Sequence, residues 1–393
     1  MLFNHKLSFH LPHYFSKHPS RSLVELYWSV GLMSIGTSAV TLFEPIFLFS
    51  LGYPLHRIML FYMMVYGLYT MLLPFGGRII GRVGFEHAIL YSQFFLIAYY
   101  VLLFGVSQSP ALFYIAPFVF AVQKSLYWPA YHADFATFSS DSQRGREVGS
   151  MQTLGMLLSI VGPFIGGALV AWGGFAALFV VAASLFICSA VPLLKIKEIH
   201  STAPFSYRQV FRQLVDREHR RGFFSYLGFG EELIVLVVWP IFIFTVIHDY
   251  LAIGSLVAVA TLVTGLVTLL IGRISDRYSP QTILRFGTIF YFCSWIFRSV
   301  TKFGWQVLAF DTVSRVGKST LVVPLESMTY GSARKLGTLE YTVFFEQSLA
   351  IAKLLAASLV LLLVSVTTTP PWSVIFIVAG FFSLLYMLYR ERR

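Results

Sequence analysis

The chain has 393 residues, 57% hydrophobic and 12% charged, with a mean hydropathy of +0.73. Soluble domains carry about 25% charged residues, so composition excludes a soluble globular protein and points to a membrane. The formal charge of +11 is scattered over short connections instead of forming one basic surface, which argues against nucleic-acid binding. Cys188 and Cys293 both lie within apolar stretches, leaving no disulfide framework and no metal site to expect.

In chain order, residues 1–22 read as a cytoplasmic tail. Its His5, His10, His13 and His18 match no standard metal spacing, and it lacks the apolar core of a signal peptide. Apolar stretches near the ~20 residues that cross a bilayer then recur along the chain. The pattern predicts twelve, near 23–50, 56–75, 86–107, 110–136, 147–172, 174–194, 223–248, 251–271, 281–301, 304–329, 338–366 and 371–389. In lipid each segment must satisfy its own backbone groups, so the predicted class is an all-α membrane protein with twelve transmembrane helices.

The longest connection, 195–222, falls between the sixth and seventh stretches and divides a half at 23–194 from one at 223–389. Within it Val210, Phe211, Leu214 and Val215 share one face of a predicted helix, with Arg208, Arg212 and Arg217 on the polar side. Such a helix is expected to lie on the cytoplasmic membrane surface. Residues 390–393 form a cytoplasmic C-terminus. Of the 29 Lys and Arg, 22 fall on the side of the termini and linker, while Arg57, Arg298 and Lys302 are assigned to the opposite side. This bias places both termini in the cytoplasm.

The two halves repeat. Glu44-Pro45-Ile46-Phe47 returns as Trp239-Pro240-Ile241-Phe242, Gly77-Arg78-Ile79-Ile80-Gly81-Arg82 as Gly272-Arg273-Ile274-Ser275-Asp276-Arg277, and Trp128-Pro129 as Val323-Pro324, all at an offset of 195 residues. One offset across three landmarks indicates two joined, pseudo-symmetric six-helix halves, an arrangement common in transporters.

On these residues the chain resembles the major facilitator superfamily of secondary transporters, over nearly its full length. Gly77-x-x-x-Gly81-Arg82-x-Gly84 is similar to that family's signature Gly-x-x-x-Asp-Arg-x-Gly, with Gly81 in place of Asp. Gly272-x-x-x-Asp276-Arg277 is similar to its second copy, with Ser279 in place of the last Gly. Gly149, Gly162-Pro163 and Gly166-Gly167 resemble the antiporter signature of the drug–proton exchange branch, although Leu158 departs from it. The alternative for these glycines is close helix packing. The resemblance implies a central cavity lined by the first, fourth, seventh and tenth spans. It also implies a cytoplasmic gate in which Arg82 meets Asp134, with His132 close by, and Asp276 and Arg277 meet the region of Glu340.

Ionisable residues inside a membrane default to functional candidates. In the tenth span Asp311, Arg315, Lys318 and Glu326 project within about 80° on a helical wheel, and Asp311 can pair with Arg315 along the helix. In the fourth, Lys124 shares a face with Trp128 and Tyr131. A lysine beside aromatics in each half fits a cavity for an anionic or amphipathic molecule; the competing reading is that Lys124 and Lys318 only balance nearby carboxylates. Glu231 and Glu232, in the seventh span, are the first candidates for proton coupling and Glu44 another. Desolvation and a neighbouring cation act on such a carboxylate in opposite senses, so protonation changes which partner wins. Glu346 and Lys353 lie about two turns apart, too far for a direct bond.

The expected function is a secondary transporter of a small organic solute in the cytoplasmic membrane, working by alternating access with protons as coupling ion. Export is favoured by the glycines of the fifth span, and an organic-anion permease or exchanger by the lysines. A different class is a non-transporting sensor or assembly factor on the same fold. An enzyme is not expected, since phosphate-loop, paired-carboxylate and metal-ligand spacings are missing, nor is a cofactor. A monomer from a bacterial source is anticipated, the latter from the compact loops.

Overall fold

The computed structural model describes residues 21–138, 144–194, 205–216, 219–275 and 279–390. The N-terminal histidines, most of the connection before the linker helix, and the signature residues Asp276 and Arg277 lie outside them. Among the described residues there are helices and no strand. In chain order these are α1 (Arg21–Thr41), α2 (Glu44–Ser50), α3 (Leu55–Val83), α4 (Phe85–Gly105), α5 (Leu112–Phe138) and α6 (Arg144–Leu193). Then come α7 (Tyr207–Val215), α8 (Arg220–Tyr226), α9 (Gly230–Leu233), α10 (Trp239–Ile247), α11 (Tyr250–Ser275), α12 (Pro280–Ser299), α13 (Gly304–Leu336), α14 (Thr338–Ser365) and α15 (Trp372–Leu384). A 3₁₀ turn and a π segment, Ile234–Val238, join α8, α9 and α10 into one broken rod.

Seven helical segments are long and apolar enough to cross a membrane, Trp28–Ser50, Leu55–Val83, Phe85–Gly105, Leu157–Val191, Arg220–Ile247, Tyr250–Thr268 and Thr338–Ser365. Their windows are only 28–61% buried, and large side chains such as Met71, Phe94, Phe286 and Leu362 face outward. That much outward apolar surface suits lipid as solvent. The other predicted spans are also helices. The interior charges of α5 and α13 lower their apolar content, and α15 is short. The predicted break between the fifth and sixth stretches falls at Gly174, whose φ of 70° interrupts α6.

The repeat has local structural counterparts. Pro45 and Pro240 each sit in the first turn of a short helix, α2 and α10, and Pro129 and Pro324 each lie inside a long one, α5 and α13. The Ser for Gly exchange also has a reason. Gly84 ends α3 at φ 90°, where a side chain is strained. Ser279 has φ −63° and caps α12, its hydroxyl accepting from the Thr282 amide at 3.3 Å.

The glycines of α6 let it approach two neighbours. A Cβ on Gly162 would press on Ser38 and Ala39 of α1, and one on Gly166 would lie 3.0 Å from the Phe43 ring. A Cβ on Gly167 would lie 3.2 Å from the Cα of Gly254 in α11, and Gly254 in turn abuts the Pro163 carbonyl. Close packing thus accounts for Gly162, Pro163, Gly166 and Gly167; Gly149 lies in the first turns of the same helix.

The linker helix departs from expectation. In α7, Val210 and Gln213 are buried while Phe211 and Val215 are exposed, so the apolar face is not turned as a unit toward one surface. Val210 joins a cluster with Ile80, Phe85, Ala130, Ala133, Leu339 and Val343. The helix therefore packs under the ends of α3, α5 and α14, helices from both sides of the linker.

Candidate functional site in the bundle interior

Glu231 and Glu232, adjacent in α9, diverge as a helix requires. Glu231 is fully buried and Glu232 has 26% of its side chain exposed. Lys318 of α13 pairs with Glu231 and also reaches Glu232 at 3.1 Å. Glu232 bridges onward to Lys353 of α14 at 2.9 Å. Tyr291 donates to Oε2 of Glu231 at 2.5 Å, and Tyr386, which accepts from Lys318 at 2.8 Å, donates to Oε1 at 3.1 Å. Every oxygen of Glu231 is engaged, whereas Glu232 is held by lysines alone among the described residues. Lys318 thus lies within a carboxylate cluster, and the separation of Glu346 from Lys353 anticipated from spacing is found, each having its own partners.

One to two turns away, Asp311 is fully buried between two guanidinium groups. Arg315 Nε donates to Oδ2 at 2.6 Å, as the four-residue spacing predicts, and Arg298 Nη2 approaches Oδ1 at 2.5 Å. Trp239 Nε1 also donates to Oδ1 at 2.9 Å. Arg298 lies over the faces of Trp239 and Trp295 at 4.4 and 4.7 Å, a setting that suits a planar cation. Arg298, counted among the charges on the side opposite the termini, stands at the end of α12 with only 1% of its surface exposed.

Before the linker the arrangement differs. Glu44 is buried and accepts from Tyr62 at 2.7 Å and Tyr100 at 3.3 Å. Lys124 forms no ion pair among the described residues; its ammonium lies over Phe120 at 4.3 Å and Tyr66 at 5.8 Å. Trp128 and Tyr131, expected beside Lys124, gather instead around His132, with Trp128 stacked on its ring at 5.7 Å.

His132 joins the two parts of the chain. Its Nε2 meets Glu346 Oε1 of α14 at 3.0 Å and its Nδ1 meets the Tyr330 hydroxyl of α13 at 2.8 Å. Tyr69 of α3 donates to the other oxygen of Glu346 at 2.8 Å, and Gln347 donates to the Thr70 carbonyl at 2.9 Å. The gate expected at Arg82 and Asp134 is not formed this way. Arg82 is exposed at the end of α3, Asp134 is half-buried, and among the described residues no ion pair joins them. Gly77 instead admits the Phe205 ring and Val343. Glu340 is half-buried in the first turn of α14, and Gly272 lies near the end of α11.

A bundle of apolar helices enclosing paired charges is what a carrier fold requires, and the family model for the Major Facilitator Superfamily matches residues 26–230, over half of the chain. The chain belongs to the Major Facilitator Superfamily. It is therefore a multi-pass membrane transporter of that class. A comparison with curated proteins found no match. For this transporter, sequence reasoning missed the roles of Tyr66, Tyr69, Tyr291, Tyr386, Arg298 and Tyr330. Tyrosines inside apolar stretches carry no charge signal, and only their contacts mark them out.

Proposed function

We propose that this chain is a proton-coupled secondary transporter that carries a small organic solute by alternating access. Glu232 carries the reading: it is a partly exposed carboxylate inside the bundle, held between Lys318 and Lys353 of different helices. Protonating it breaks both pairs at once, while Glu231 still compensates Lys318, so a proton changes the pairing of charges without stranding that lysine. Alternating access is supported by the contacts of His132, Tyr69 and Thr70 with α13 and α14, which must separate if the two parts rock. In this reading the chain makes twelve crossings in two related six-helix halves, with the linker and both termini cytoplasmic, and the monomer is the working unit. Packing gives Gly162, Gly166 and Gly167 of α6 a role that needs no export, so this reading names no direction of transport.

The test is proton movement into proteoliposomes driven by a panel of organic anions and lipophilic cations. Wild type is expected to show solute-linked proton movement, and Glu232→Gln to lose it while still exchanging solute. Unchanged proton movement in Glu232→Gln would remove the coupling role. A panel in which nothing moves would favour the sensor or assembly-factor reading.

A further inference from the structure

Two ammonium groups face Tyr66, and among the described residues only one of them has a carboxylate in contact. Tyr66 is buried on α3, and the ammonium groups of Lys124, from α5, and Lys353, from α14, lie 5.8 and 5.6 Å from its ring centroid. Their partners differ. Lys353 has one carboxylate, Glu232, at 2.9 Å, and Lys124 has none among the described residues. Glu44 does not pair with Lys124; Tyr62 and Tyr100 hold its oxygens. Glu346, two turns from Lys353 on α14, is held by His132 and Tyr69.

Glu232 is the carboxylate able to leave. Its neighbours are Lys318 of α13, Lys353 of α14 and Glu231 beside it, with Glu326 of α13 and Tyr66 of α3 facing it at longer range, while Tyr291 of α12 and Tyr386 after α15 bond to Glu231. If Glu232 withdraws, Lys318 keeps Glu231 and Lys353 keeps nothing. One ammonium beside Tyr66 then lacks a contacting carboxylate when Glu232 is ionised, and two when it is not, Glu44 and Glu346 acting on them only at longer range. Uncompensated charge in a membrane interior is costly, and a flat anion with two acceptor oxygens can serve two ammonium groups together.

Building on the transport reading above, we infer that Tyr66, Lys124 and Lys353 form the binding site for the anionic end of an organic acid, which takes Lys353 from Glu232 and frees that carboxylate to accept a proton. The Tyr66 and Phe120 rings, both against Lys124, offer an apolar wall to the body of the molecule. The substrate class is accordingly a small organic monoanion, a carboxylate or sulfonate bearing an apolar group. Anion binding and protonation of Glu232 favour each other.

The experiment is equilibrium binding of benzoate and benzenesulfonate to the full chain in lipid nanodiscs, beside benzamide and benzylammonium, across a range of pH. Benzenesulfonate stays ionised throughout, so its pH profile reports the protein. Both anions are expected to bind saturably and more tightly as pH falls, with the amide and the cation not binding. Lys124→Gln should weaken anion binding by about tenfold or more, as for loss of one charge-assisted contact, and Lys124→Arg should largely retain it. Glu232→Gln should tighten binding and flatten the pH profile, a change opposite to that of general structural damage. The site is overturned by absence of saturable binding of both anions, by equal binding of benzamide, by an unaffected Lys124→Gln, or by a Glu232→Gln that weakens binding. Proton-linked transport of a lipophilic cation without anion binding would also overturn it and leave the transport reading standing. Saturable anion binding with no movement in liposomes would uphold the site and overturn the transport reading.

Discussion

Glu44 and Trp239 stand at the same place in the two copies of the repeat, each just before the proline that starts a short helix. The first copy puts the carboxylate there and holds it with neutral donors, Tyr62 and Tyr100. The second puts an indole there, and the carboxylate comes from α13 as Asp311, clamped by Arg298 and Arg315. The lysines differ in the opposite sense: Lys318 has two carboxylates, and Lys124 has only aromatic faces. One scaffold therefore carries two charge patterns. Among the described residues, Lys318, Arg298 and Arg315 contact carboxylates from their own side of the linker, while before it Lys124 and Glu44 contact rings and hydroxyls and not each other.

The comparison can be broken first at Asp311. Asp311→Asn leaves two guanidinium groups inside the bundle without their carboxylate, and stability in detergent should fall by about 3–5 kcal/mol. Glu44→Gln keeps an acceptor for Tyr62 and should cost only about 1 kcal/mol. Equal losses in unfolding experiments would show that both sites are held in the same way. Next is helix packing: Gly254→Leu forces side-chain bulk against the Pro163 carbonyl and should destabilise by about 1–3 kcal/mol, measured by thermal melting. Gly67, whose added Cβ would meet only Leu354 at 3.8 Å, should tolerate alanine far better.

The latch between the two parts can be weighed by a double-mutant cycle of His132→Ala and Glu346→Gln. A coupling of about 0.5–3 kcal/mol is expected for residues in direct contact, and none would remove this contact from the account. The smallest contrast is at the loop signature. Gly84→Ser places a side chain at φ 90° and should cost about 1–2 kcal/mol. Ser279→Gly, at the equivalent place, should cost only a few tenths of a kcal/mol. Reversed magnitudes in melting curves would contradict the capping explanation.

Much of this architecture is legible in the sequence because its causes are local. Apolar runs near the length of a bilayer crossing predict the helices, Gly174 ends one where the pattern breaks, and Asp311 and Arg315 pair because four residues make about one turn. The polar stripe of α13 was likewise visible from its own spacing. Partners on other helices were not. Arg298 was assigned a side of the membrane but no partner, Trp128 and Tyr131 were grouped with Lys124 by helical face, and the gate was placed at Arg82 and Asp134 by resemblance. Each of these depends on how a neighbouring helix is rotated and at what depth it stands.

The sequence by itself determined a helical membrane protein, its internal repeat, the prolines shared by both copies, and the superfamily resemblance. These follow from periodicity, length and residues whose backbone demands are met within a few positions. Only the tertiary structure decided which charges meet. Lys318 finds Glu231 across 87 positions, Tyr386 finds Glu231 across 155, and Tyr69 finds Glu346 across 277. In a low-dielectric interior those partners decide which charge is compensated and which is left for a ligand, and no spacing along one helix contains that information.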